Sequence, residues 1–176
     1  DKVGCDTNLH IGYTYNATNN DGISGSAPPA VGLKFIRGRY KYTGNMNDTV
    51  KYFKPFGSKN IISKAGYKDE SMTVFNYYSG GSPQPSDPAN NIETYRVLKG
   101  WWRLGDRWVN PVTHDTTNEV FSGDPVTGSG WLNPGEQDRR SLTATGPFDN
   151  VNPGDTITII AAQIIAKGYS NLNSIT

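Results

Sequence analysis

What most constrains this chain is the stretch from Phe121 to Ile165, where glycine- and proline-rich turns alternate with short apolar or alternating runs. Its last run, Thr156 to Ile165, is a near-continuous series of β-branched and small apolar residues, with Pro153-Gly154 just before it. Proline presets φ at one corner of a turn and glycine accepts a positive φ at the next, so a strand is launched directly from a tight reversal. Closely spaced turns with short β-forming runs between them build antiparallel sheets and leave little room for long helices.

The rest of the chain agrees. Twenty glycines and eleven prolines in 176 residues suit many turns, and one domain of this length can bury a real core without covalent staples. Leu9 to Tyr15, Ala30 to Gly38, Thr49 to Phe56, Ser71 to Tyr78 and Arg140 to Thr145 read as further strands, separated by Asn16 to Gly22, Pro28-Pro29 and the loop Gly80 to Pro88. One short helix is expected at about 88–99, with Asp87 as N-cap, Pro88 at the first helical position and Gly100 as the stop. The expected fold is therefore mostly β, an antiparallel two-sheet sandwich with long loops, in which strand 156–165 is central because both of its faces are apolar.

Charge excludes some partners. Seventeen Lys and Arg against sixteen Asp and Glu give a net charge of +1, with no basic run to track nucleic acid or an anionic membrane. No apolar run approaches the roughly 18 residues of a membrane span. The single cysteine, Cys5, has no internal partner and reads as a small buried hydrophobe, the alternative being a bond to a cysteine outside the chain. The chain opens at Asp1 without a methionine, so residues 1–176 are expected to be a single β-rich module from a longer multidomain protein.

Several motifs recur together. Gly4-Cys5-Asp6-Thr7, Pro28 to Gly32, Tyr95 to Gly100 with Trp102, Gly123 to Trp131, Asp138-Arg139-Arg140, Gly146-Pro147-Phe148, Pro153 to Thr156 and Leu172 to Ile175 resemble a recurrent, uncharacterised region of large secreted Bacteroidetes-type surface proteins. Those proteins carry a type IX secretion sorting domain. The resemblance implies an extracellular or cell-surface location and a place in a long modular protein, and it implies no reaction.

Trp101, Trp102, Trp108 and Trp131, with Tyr77, Tyr78 and Tyr95, offer either a stacking platform for the apolar face of sugar rings or the bulk of an aliphatic-poor core; the core is favoured because aromatics dominate burial. Asn19 and Asp21 beside Gly22 are candidate Ca²⁺ ligands, although the spacing is not that of an EF-hand and a self-satisfied Asn/Asp turn is favoured. Calcium is the only cofactor the sequence suggests. Asp138-Arg139-Arg140 is read as one arginine in a structural ion pair and one in solvent. His10 and His114 lie far apart, without metal-ligand spacing. Asp48-Thr49-Val50 and Asp115-Thr116-Thr117 resemble a Bacteroidetes O-glycosylation acceptor, marking Thr49 and Thr116. No nucleophile elbow, HExxH or phosphate loop occurs. The expectation is a non-catalytic structural or adhesive module of a surface assembly, one that forms filaments or joins other domains or copies of its own protein. The alternatives are a carbohydrate-binding module for a polysaccharide and, behind it, a domain of a secreted hydrolase.

Overall fold

The computed structural model describes residues 1–53, 61–80, 86–148 and 151–176. The chain is mostly strand, in the order β1 (Lys2–Asp6), β2 (Ile11–Tyr15), β3 (Asn20–Asp21), β4 (Gly25–Ser26), β5 (Ala30–Arg37), β6 (Arg39–Tyr42), β7 (Thr49–Phe53), β8 (Ile61–Ala65), β9 (Tyr67–Glu70) and β10 (Val74–Tyr78). Helix α1 (Asn91–Leu98) follows, then β11 (Trp108–Val109), β12 (Thr116–Thr117), β13 (Arg140–Ala144) and β14 (Ile160–Ala166). The expected extension of the third strand through Phe56 and the loop centre 81–85 lie outside the described residues.

The largest sheet runs β1-β2-β5-β14, antiparallel throughout. Its pairing assigns the faces: Cys5, Gly12, Leu33 and Gln163 lie side by side on one, and Gly4, Tyr13, Gly32 and Ile164 on the other. The first, inner face receives a second layer, the ribbon of β10 and β13. Gly12 makes that contact possible, because a Cβ there would sit 2.5 Å from the Phe75 ring and 2.5 Å from Thr143 Oγ1. Thr14 and Ser141 hydroxyls meet across the same interface at 3.2 Å. Two smaller antiparallel pairs, β6 with β9 and β7 with β8, extend from this body.

The core lies between the layers. Val3, Cys5, Met72, Phe75, Tyr77, Trp108, Val120 and Phe121 form it, and Phe35, Trp102 and Trp131 pack against it. A smaller cluster on the outer face joins Tyr13, Tyr15 and Ala30 to Leu172 and Ile175 of the last turn. That turn is pinned by Ser174 Oγ donating to the Pro28 carbonyl at 3.0 Å and by Asn171 Nδ2 donating to the Asn16 carbonyl at 2.8 Å.

Four expectations need correction. The helix starts at Asn91, not Pro88: Asn90 Oδ1 accepts from Glu93 N–H at 3.0 Å while Glu93 accepts from Ala89 N–H at 2.9 Å, a reciprocal cap that Asp87 has no partner to build. Asp87 pairs instead with Arg140. The helix closes at Leu98 with Lys99 as its cap, and Gly100 is the stop as expected, with φ +78° there. The last strand begins at Ile160 rather than Thr156, because its partner β5 ends at Arg37, opposite Ile160. It is also not central: β5 already pairs β2 on its other side, which leaves β14 at the sheet's edge. Finally, Arg139 is not free in solvent; its guanidinium lies 4.7 Å from the Tyr77 ring centre and donates to the Pro134 carbonyl at 3.1 Å.

Candidate interaction surface

The two edges of the main sheet end differently. At β1 the outward N–H of Val3 is taken by Asn133 Oδ1 at 3.1 Å and that of Cys5 by the Phe121 carbonyl at 3.2 Å, so this edge is sealed by the 121–133 segment. At β14 no backbone partner other than β5 occurs among the described residues. The open strand is IAAQIIA, without a charge or a proline. Natural edges are ordinarily blunted by lysine, proline or a bulge. Here one register shift, between Ile160 and Ala161, leaves the remaining six residues regular.

The inner face beside that edge is bare as well. The β10–β13 ribbon rests on β1 and β2, and Val31, Leu33 and Ile165 beyond it are 36%, 37% and 69% exposed. Ile164, on the outer face, is 42% exposed. There β14 forms one wall of a cleft of about 560 Å³ whose floor includes Ile11, Tyr13 and Gly32 and whose rim carries Asp6 and Asp124. Asp124 is held below the usual carboxylate range, first by the Thr127 hydroxyl and then by the Val126 N–H, which together fold the 123–131 loop. Gly123 lets that loop close, since a Cβ there would meet the Ser129 carbonyl oxygen at 2.5 Å.

The tryptophans singled out from sequence converge, and they converge inward. Trp102 stacks on Trp108 with ring centres 3.9 Å apart, and Trp108 meets Trp131 at 6.0 Å and Tyr77 at 5.6 Å. Trp108 is 8% exposed, and its Nε1 donates to Asn76 Oδ1 at 3.0 Å. Trp101 stands apart, with Lys99 Nζ 4.0 Å and the Arg107 guanidinium 5.2 Å from its ring centre. These rings are occupied by one another and by cations, and they do not form a row open to solvent.

Asn19 lies just before β3 and Asp21 ends it, and the side-chain oxygens of both are already partnered. Asn19 Oδ1 accepts from Asn171 N–H at 2.9 Å. Asp21 accepts from the Ser24 and Ile23 N–H groups and from Asn16 Nδ2, and the backbone donors hold its carboxyl below the ordinary range. Among the described residues no three His, Cys, Asp or Glu side chains converge as a metal site. Thr49 opens β7 and Thr116 lies in β12, both exposed. Cys5 is buried, its thiol donating to the Val120 carbonyl at 3.4 Å. His10 sits in the turn before β2 with φ +53° rather than in a strand, and burial pushes the Glu119 carboxyl above its ordinary range. Among the described residues no helix is long and apolar enough to cross a membrane.

The surface that sequence reading missed is the β14 edge. The apolar run was visible; its missing neighbour was not, because strand order depends on pairings between segments more than a hundred residues apart. No protein family, curated protein or solved structure matches this chain.

Proposed function

We propose that this domain is a non-catalytic structural module that joins its assembly by taking up a strand at the β14 edge. The observation that carries this reading is the contrast between the sealed β1 edge and the uncharged, apolar β14 edge, open among the described residues, with bare Val31, Leu33 and Ile165 beside it. An added strand would satisfy the outward N–H and C=O groups of β14 and cover that stripe in one step. The extracellular or cell-surface setting rests on the resemblance of Gly123 to Trp131 and Leu172 to Ile175 to secreted Bacteroidetes-type proteins, and separating surface from cell contents in the source organism tests it.

The edge is tested with a synthetic peptide of the β14 sequence and with light scattering of the intact domain. Uptake of the peptide, or self-association, that Ile165→Lys abolishes without lowering thermal stability is the expected result. A domain that stays monomeric and ignores the peptide overturns the proposal.

A further inference from the structure

Resting on that reading, we infer that the strand accepted by β14 is β14 of a second copy, antiparallel, with the two-fold axis passing at Gln163. The residue pattern is self-complementary only in that register. Turning β14 about Gln163 sets Ile165 opposite Ala161 of the second copy and Ile164 opposite Ala162, so on each face a large side chain meets a small one. The two Gln163 side chains face each other and exchange amide hydrogen bonds. Moving the axis by one residue, to Ile164, faces two isoleucines directly and pairs Gln163 with Ile165.

The surroundings permit it. β14 carries no charge, so two copies meet without like-charge repulsion. The β10–β13 ribbon lies over β1 and β2, away from the edge, and does not obstruct a second sheet. Joining two copies makes one continuous sheet of eight strands and merges the exposed Val31, Leu33 and Ile165 of each into a shared stripe. A two-fold contact of this kind closes on itself, so the product is a dimer rather than an open chain of subunits.

Gln163→Cys tests the register cleanly, because Cys5 is the only other cysteine and is 1% exposed. Residues directly opposite in an antiparallel pair lie within the Cα separation of about 4.4–6.8 Å that a disulfide needs. Mild oxidation of the intact domain should give a covalent dimer of Gln163→Cys and, in a mixture, of Ala161→Cys with Ile165→Cys, with little from either of those alone. Light scattering of the unmodified domain should move with concentration from 19.3 kDa toward twice that mass. Association that Ile165→Lys abolishes but Gln163→Cys fails to trap overturns the register and leaves edge pairing standing. A domain that stays monomeric yet binds the β14 peptide overturns the second copy as partner. A monomer that binds no peptide overturns both.

Discussion

Asn76 is the most heavily used polar side chain of the core, and removing its amide has a calculable cost. It is 1% exposed; Nδ2 donates to the carbonyls of Trp101 at 2.9 Å and Val97 at 3.1 Å, and Oδ1 accepts from Tyr77 N–H at 2.9 Å and Trp108 Nε1 at 3.0 Å. One residue thus ties β10 to the end of α1 and fixes the central ring of the tryptophan cluster. Asn76→Leu keeps the volume and strands two buried N–H groups. The Val97 carbonyl loses less, since it also accepts from Gly100 N–H at 3.0 Å. A buried group left without its partner costs about 1–3 kcal/mol, so the two N–H groups together with the Trp101 carbonyl predict a loss of about 3–9 kcal/mol. Against a total stability on the order of 5–15 kcal/mol that is a large fraction, and in a chain of this size it corresponds to a midpoint lower by roughly 6–36 °C. Urea unfolding followed by tryptophan fluorescence measures it. Asn76→Asp adds a sign to check. Burial raises its carboxyl above the unfolded value, so the variant is less damaged near pH 4 than near pH 7, stability falling as pH rises through the folded pKa. A loss under about 1 kcal/mol for Asn76→Leu would refute the reasoning, because it would mean that water or a neighbour replaces the amide at no cost.

Three further outcomes follow from the same packing. Gly12→Val should cost at least about 3 kcal/mol or abolish folding, since its side chain would enter the Phe75 ring; a soluble variant with an unchanged thermal midpoint would contradict the layer contact. Glu119→Gln should stabilise the domain at neutral pH, because burial raises the native carboxyl and its ionisation works against folding as pH rises through that raised value; the gain should vanish below about pH 4, and paired urea titrations at the two pH values measure it. The Cys5 thiol, pushed up first by burial and then by the Glu119 and Asp6 charges, should resist aromatic disulfide reagents in the native state and react fully in denaturant, so prompt native labelling would disprove its burial.

What the sequence made legible was local. The strands around Tyr13, Phe35, Tyr77 and Leu142 and the helix with Gly100 as its stop all appear, since alternation, β-branching and glycine punctuation act over a few residues. The helix start was misplaced because Asp87-Pro88 and Asn90 with Glu93 are both valid start signals, and only the latter supplies a reciprocal acceptor. Trp102, Trp108 and Trp131 pack in or against the core while Trp101 stands apart, and the place of Asn76 beneath Trp108 was not legible, because a single asparagine between valine, phenylalanine and tyrosine residues carries no spacing signal. Apolarity on both faces marked β14 as buried, yet the structure leaves Ile160 and Ile164 more than 40% exposed. The mismatch between composition and exposure is visible only once β5 is known to be the strand's one neighbour among the described residues.

That mismatch and the sealed opposite edge belong to one argument. Both ends of the sheet pose the same problem of outward backbone groups, and the chain solves it at β1 with a side-chain amide from Asn133 and a carbonyl from Phe121, each more than a hundred residues away in sequence. The segment that does so also carries Trp131 against the core and closes through Gly123, so the same residues that seal that edge complete the aromatic cluster. At β14 the described chain commits no comparable segment, and the strand offers isoleucine and alanine where blunting an edge calls for charge or proline. Sealing β14 from within would take a further pinned loop, and pairing it with another β14 takes none. The Ala/Ile order about Gln163 is therefore the feature on which assembly should turn: exchanging Ala161 and Ile165 preserves composition, apolarity and strand propensity, and it also preserves the two-fold match. Replacing Ala161 by Ile does not, because it opposes two large side chains across the axis on the inner face. Ala161→Ile should leave the thermal midpoint of the monomer unchanged while weakening self-association, and the double exchange should restore it. Equal association in the unmodified domain and both variants would show that apolar area alone drives the contact.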